Sequence, residues 1–392
     1  MRKRISPRAG TSRRDFLKTS TVGLVAAAVA PRTLAGTTSI ADAEARGAVD
    51  SDHPLVLRTQ GSFMVGGTVI TGPTGDTFHG DHAYVQYQIP PDVRQLPLVM
   101  WHGGGQFSKT WESTPDGRDG YQNIFLRRGF ATYILDQPRR GRAGRSTVGA
   151  TIPNAVPGES NTFNIFRLGL WLPPGPPQFF PNVQFPRTQE AVDQYWRQQT
   201  PNTGPEGIAP EIRDFQGGTV AALFGKIGPG ILLTHSNSGQ YGWVTAMKAP
   251  DLVRAIIAYE PAAFSYPQDE VPAPVPTQNA QIAAITAPQL VSAAGFQKLT
   301  RMPIQVIYGD NIEFTTPSSI FGVELWRVVT QRAQQFVDAV NRHGGDAQVL
   351  YLPTMGLHGN THFAFSDLNN LQVADLLSEW LHEKGLDQRG KE

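Results

Sequence analysis

The 392-residue sequence contains no cysteine, which excludes disulfides, thiolate metal sites and a cysteine nucleophile together. It also lacks an excess of either charge. Thirty-four Lys and Arg stand against 33 Asp and Glu, so the total carries no nucleic-acid footprint. No apolar run is long enough to span a bilayer as a stable helix. A repeat of fixed period is missing as well, which sets solenoids and propellers aside. Asp and His are too scattered for a metal site of recognisable spacing, and no phosphate loop or dinucleotide fingerprint occurs. Neither a metal nor another cofactor is therefore expected. What is present is a 40% apolar fraction with 20 Phe, 10 Tyr and 7 Trp, enough for a sizeable core and too much for disorder. Forty Gly and 31 Pro imply many turns and long irregular connections.

The first 45 residues read as an address. Arg2, Lys3, Arg4 and Arg8 precede Ser12-Arg13-Arg14-Asp15-Phe16-Leu17-Lys18, and the mild apolar stretch Val22–Ala30 follows. A paired arginine, a short apolar segment and small residues afterwards resemble a twin-arginine export signal. Cleavage is expected after Ala35, Ala43 or Ala45. Residues 1–45 hold eight basic and three acidic residues, so the remainder carries 26 basic against 30 acidic. The basic character belongs to the signal. Export to the periplasm or the medium and no stable membrane anchor in the mature form follow from this reading.

From about residue 55 the pattern is strands first, then alternation of strand and helix. Val65–Ile70 and Ala83–Ile89 alternate like a half-buried antiparallel pair. Leu96–Trp101, Ala131–Leu135, Gly230–Thr234, Arg254–Tyr259, Pro303–Tyr308 and Ala347–Leu352 are short apolar runs, as strands covered on both faces should be. Helices are expected at Tyr121–Arg128, Gly239–Lys248, Trp326–Arg342 and Leu368–Lys384. Such alternation implies a mostly parallel sheet with helices on both faces. Residues from 138 to about 228 break the rhythm with prolines and aromatics around one helix near Gln189–Gln198. So long a connection, rich in rings, reads as a cap rather than a solvated linker.

Chemistry gathers at the ends of these runs. Thr234-His-Ser-Asn-Ser-Gly239 lies where a buried strand gives way to a helix, the setting of a nucleophile elbow. Ser236 is the expected nucleophile, although Thr234 and Ser238 stand where glycine is usual; Ser238 is the alternative. His102-Gly-Gly-Gly105 follows another buried strand, where a glycine turn offers a backbone N–H to a developing oxyanion. Gly104 and Asn237 are the expected donors. Of nine histidines, only His358 and His362 fall between the last strand and the last helix, where the base belongs, and His362 is favoured. The acid that orients it usually follows the seventh strand, which by topology alone favours Asp310; Glu260, after the sixth, is also available. The run Arg139-Arg140-Gly-Arg142-Ala-Gly-Arg145 would meet an anionic substrate or be ion-paired; pairing is the commoner fate.

The order Trp111-Glu-Ser-Thr-Pro-Asp-Gly-Arg118, Phe125–Phe130, Asp136-Gln137, Thr234–Gly239, Gly359-Asn-Thr-His362 and Asp367–Asn370 resembles a group of secreted bacterial α/β-hydrolase esterases. The likeness covers most of residues 60–385. It implies an α/β-hydrolase fold with a cap and a triad glutamate after strand six. That glutamate lies twenty-four residues beyond the serine, the spacing of Glu260 from Ser236. The implied triad is Ser236, His362 and Glu260. Some members carry adjacent cysteines in the oxyanion turn, where this chain has Gly104 and Gly105. The expectation is a serine esterase that cleaves small-molecule carboxylic esters through an acyl-enzyme. Amides, lactones or carbamates are the alternative substrates, and a non-catalytic binder on the same scaffold is the more distant rival. Oligomeric state and natural substrate are not legible.

Overall fold

The computed structural model describes residues 53–390 apart from 151 and 153–157. The expected export signal lies outside the described residues. The strands of the main sheet are β1 (Thr59–Thr71), β2 (Thr77–Ile89), β3 (Leu98–Trp101), β4 (Thr132–Asp136), β5 (Gly230–His235), β6 (Val253–Tyr259), β7 (Pro303–Tyr308) and β8 (Asp346–Tyr351). Their order in space is β1-β2-β4-β3-β5-β6-β7-β8. β1 and β2 pair antiparallel, β2 meets β4 antiparallel, and every later neighbour is parallel. This is the α/β-hydrolase fold.

Burial explains the run-like strands. All residues of β3 and β5 are buried, because helices cover both faces and leave no polar side. On one face lie α2 (Pro210–Ile227), α3 (Ser238–Lys248) and α4 (Phe321–Arg342), which pack Val220, Trp243 and Val328 into one core. On the other, α1 (Tyr121–Arg127) and α5 (Asn370–Glu383) pack Phe125 and Leu377 into a second. α1 ends before Gly129, whose φ of +83° is the left-handed stop that glycine supplies without strain. The opening hairpin runs further than its alternation suggests. Its outer part leaves Val69, Ile70 and Phe78 exposed, so only the half that touches the core carries a readable pattern. Among the described residues no helix is long and apolar enough to cross a membrane.

The irregular stretch after β4, the expected cap of residues 138 to about 228, includes a long helix at its far end. Residues 210–227 form α2, which packs on β1 and α3 as part of the main body. Before it stand two short helices, Glu159–Ile165 and Gln189–Arg197, and the small pair Gly169–Leu170 with Gln178–Phe179. The insertion's rings are mostly its own core. Phe163 meets Phe179, Phe185 meets Tyr195, and Tyr195 meets Phe363 of the body, all at centroid distances of 5.1–5.3 Å.

Candidate active site

Ser236 sits in the turn between β5 and α3 with φ +53°, the left-handed conformation that costs a non-glycine residue and recurs at functional turns. The turn is tight because three surfaces converge on it. A Cβ on Gly242 would come within 2.8 Å of Thr234 Cγ2, and one on Gly239 within 2.6 Å of Pro261. Helix and strand therefore approach through glycines inside the helix, so Thr234 can stand where a glycine is more usual. Ser236 is half-buried, and among the described residues its hydroxyl has no hydrogen-bond partner. Ser238 differs. Its hydroxyl accepts from the His235 amide at 2.9 Å and reaches the Trp101 carbonyl at 3.1 Å, fully buried. It fastens the turn.

The glycine turn after β3 presses on this elbow. A side chain on Gly103 would collide with His235 Nδ1 at 2.7 Å and meet Ser236 Cβ at 3.0 Å, so only glycine fits. Gly104 lies against Asn237, its ideal Cβ 3.6 Å from that of Asn237, which brings the two expected oxyanion donors to one spot. His102 is buried and acts as an anchor. Its Nδ1 faces the Gly103 carbonyl at 2.9 Å and its Nε2 receives the Gln137 amide at 3.2 Å. Burial, with Arg140 nearby, pushes its pKa down to about 4, so it stays neutral.

His362 follows β8 in the loop before α5 and is also buried. Its Nδ1 lies 3.0 Å from Glu260 Oε2. With the Nδ1 hydrogen donated in a hydrogen bond to the carboxylate, Nε2 holds the lone pair a base needs. The ring is stacked on Phe166 at 5.0 Å and flanked by Trp326 at 4.8 Å. His235, one residue before Ser236, reaches the His362 carbonyl through Nε2 at 2.9 Å. Elbow and histidine loop are thereby joined. In substrate-free sites the serine–imidazole contact is often loose and tightens on binding. Burial lowers the His362 pKa; Glu260 opposes this and Arg167 adds to it.

Glu260 stands directly after β6 with φ +53° and is buried. Besides His362 it accepts the Gly309 amide at 2.6 Å and an ion pair from Arg167. Burial alone would raise its pKa, but Arg167 and the His362 bond outweigh burial and hold it at about 2. Asp310 is placed otherwise. One of its oxygens accepts the Gly359 amide at 2.7 Å and lies 3.5 Å from His358, whose side chain is 63% exposed. Of the two acids and two histidines read from the sequence, Glu260 and His362 meet each other in the interior; Asp310 and His358 meet at the surface.

Several contributors escaped the sequence reading. Phe166 and Arg167 come from the insertion, and the Phe166 carbonyl accepts the His362 amide at 3.0 Å. Arg118, noted above only within a run of resemblance, donates to the Asp367 carbonyl at 3.0 Å and to Asn370 at 2.9 Å, while Trp111 packs on Phe365 at 4.2 Å. The run 111–118 thus braces the histidine loop. Asp367 closes that loop by accepting from the Thr361 amide at 2.7 Å, and burial pushes its pKa up to about 7. The arginine cluster is largely spent on pairs: Arg139 with Asp81, Arg140 with Glu206, Arg142 with Asp136. Glu206 also accepts from Asn237 at 3.0 Å and Gln137 at 2.8 Å, tying the insertion to the elbow. Among the described residues no group of three His, Cys, Asp or Glu is placed to hold a metal ion.

This geometry has solved counterparts. The structure described as that of a novel bacterial esterase is 30% identical to this chain, with a TM-score of 0.66 over 90% of this chain and 99% of that one. The chain belongs to the esterase/lipase hydrolases of that fold. A probable secreted lipase, phiG, of Fungal sp. (strain ATCC 74256) is 25% identical over 333 residues, 79% of this chain and 88% of the relative. No protein-family model matches the chain. Relationship to this hydrolase family thus rests on whole-chain likeness, not on a short motif.

Proposed function

We propose that this chain is an exported serine hydrolase that cleaves carboxylic esters with Ser236, His362 and Glu260. The observation that carries this reading is the buried bond of 3.0 Å between His362 Nδ1 and Glu260, beside a serine held in a left-handed turn. The names of the two relatives, an esterase and a secreted lipase, support the ester class and export.

Ser236 Oγ attacks the ester carbonyl carbon while His362 Nε2 takes its proton, and the carbonyl oxygen becomes an oxyanion facing the Gly104 and Asn237 amides. Glu260 remains ionised and holds the imidazolium that forms. Collapse of the intermediate breaks the carbon–alkoxy bond, His362 returns the proton to the departing alcohol, and the acyl group stays on Ser236. Water then gives its proton to His362 and attacks the acyl carbon, and the acid leaves as Ser236 regains its hydrogen.

An organophosphonate probe followed by peptide mapping tests the nucleophile, alongside turnover of p-nitrophenyl esters of graded length. Labelling is expected on Ser236. Ser236→Ala should abolish it and lower turnover by on the order of 10⁴ or more. Labelling that persists in that variant and vanishes in Ser238→Ala would move the nucleophile to Ser238. For export, Arg13→Lys with Arg14→Lys should leave an active precursor in the cytoplasm, measured by fractionation. Undiminished secretion of the double variant would rule out the twin-arginine route.

A further inference from the structure

The insertion does more than cover the site. It carries one residue into the buried proton relay, and that residue is charged. Arg167 follows the helix Glu159–Ile165, with φ +56° and a side chain only 3% exposed. Its guanidinium engages Glu260 Oε1, the oxygen not used by His362, and donates through Nε to the Asp310 main-chain carbonyl at 2.8 Å. The guanidinium carbon lies 4.9 Å from the centre of the Trp326 ring, which also flanks His362. Two buried residues with left-handed backbones, Arg167 and Glu260, thus meet in the interior. Such backbone strain persists only where the surroundings over-determine it.

We infer, on the reading that His362 is the base and Glu260 its acid, that Arg167 is a positioning residue whose fork ties the carboxylate to the Asp310 carbonyl and whose charge delays protonation of the imidazole in acid. A buried carboxylate beside a neutral imidazole would otherwise leave one uncompensated negative charge, which draws a proton to the ring. With Arg167 in place the two charges cancel and the ring enters the cycle neutral. The insertion therefore sets the lower pH boundary of activity, and around His362 it is part of the machinery and not a removable lid.

Other titratable groups lie on the elements around the ring. His235 lies 4.5 Å away, ring to ring, and burial holds it neutral. Asp367 sits in the same loop, bound by Thr361 and Asn360. Tyr308, at the end of β7, gives its hydroxyl to the Pro261 carbonyl at 2.8 Å. Glu324 and Arg327 of α4 pair with each other at 2.7 Å. Only Asp367 titrates in a range that overlaps a histidine, so a readout specific to the ring is needed.

The test compares the wild type with Arg167→Lys and Arg167→Gln, reading the acid limb of kcat/KM and, in a Ser236→Ala background, the His362 ring by ¹⁵N NMR against pH. Arg167→Gln should move both midpoints up by about one pH unit and lower the plateau by roughly tenfold to a hundredfold. Arg167→Lys keeps the charge but not the fork, so its midpoints should stay near wild type while its plateau falls. A structural role alone would lower the plateau and leave both midpoints in place, and that outcome overturns the inference. Should the Gln variant not fold, Arg167→Met is read in the same way: midpoints that rise are expected, and midpoints that stay at the wild-type values refute the inference. Glu260→Gln keeps the two readings apart. If that variant stays active the triad itself fails; if it is crippled while the limb ignores Arg167, only this inference fails.

Discussion

The turns after β6 and β7 are neighbours on the sheet, and each carries an acid within two residues of its strand. β6 ends in Tyr259-Glu260 and β7 in Tyr308-Gly309-Asp310. Each turn includes a non-glycine residue in the left-handed region, Glu260 at +53° and Asn311 at +57°. Their fates diverge because of what arrives from elsewhere. The Glu260 turn receives Arg167 from the insertion and Gly309 from its neighbour, which leaves one oxygen for His362. The Asp310 turn receives Gly359 and sits 21% exposed beside His358. The usual strand order favours the acid after β7, yet burial, a guanidinium and one amide bring the acid after β6 to His362. Strand order alone therefore does not identify the acid of such a site.

Glu260→Gln is the sharpest way to break this comparison. The amide removes the charge that supports the imidazolium and leaves the ring's tautomer without its partner. Turnover should fall by roughly two to four decades, in line with the serine-protease case where the same kind of change costs about 10⁴. Stability should fall as well, since Arg167 would keep its burial and lose its counter-charge; breaking a buried pair costs about 3 kcal/mol or more. The amide oxygen can still accept from Arg167 and Gly309, which limits that loss. Steady-state rates must therefore be taken well below the variant's melting temperature, with thermal unfolding followed in parallel. Undiminished turnover would remove Glu260 from the triad.

How much of this was readable beforehand depends on how local each feature is. The elbow is contiguous, a buried strand, a serine and a helix within about twenty residues, so its chemistry and its fold are written in one window. The same holds for the glycine turn and for the alternation that predicts the sheet. Glu260 is read from its spacing from Ser236 within a resemblance, whereas the usual strand order by itself favours Asp310. Arg167 was invisible. It stands in an irregular segment, and its partner lies 93 residues away in sequence; neither carries a periodic signal that points to the other. α2 was missed for a different reason. Its Gly217, Gly218 and Gly225 are poor helix formers, yet Gly217 is where α3 comes closest, since a Cβ there would lie 2.7 Å from Val244. The residue that weakens the helical pattern is the one that lets the helix pack.

Asp310→Asn should show the smallest effect and is the more informative for it. Asp310 does touch the histidine loop, but at its first residue: the carboxylate accepts the Gly359 amide, and its own amide donates to the Asn360 carbonyl at 2.8 Å. An asparagine keeps that main-chain bond, keeps an oxygen for Gly359, and keeps the carbonyl that Arg167 uses. What it loses is the charge and one acceptor oxygen, since the carboxylate takes the Gly359 amide on Oδ2 and the Asn311 amide on Oδ1, each at 2.7 Å; that is worth about 1 kcal/mol, or a melting temperature lower by about 2 °C in a chain of this size. Activity should drop by no more than about tenfold, with the acid limb of kcat/KM unmoved, because the carboxylate does not face His362. Kinetics across pH, beside a thermal melt, measure all three quantities. A loss of two decades or more in Asp310→Asn, with Glu260→Gln still active, would transfer the acid to the turn after β7. It would also mean that the buried Arg167–Glu260–His362 arrangement holds the loop together without taking part in proton transfer.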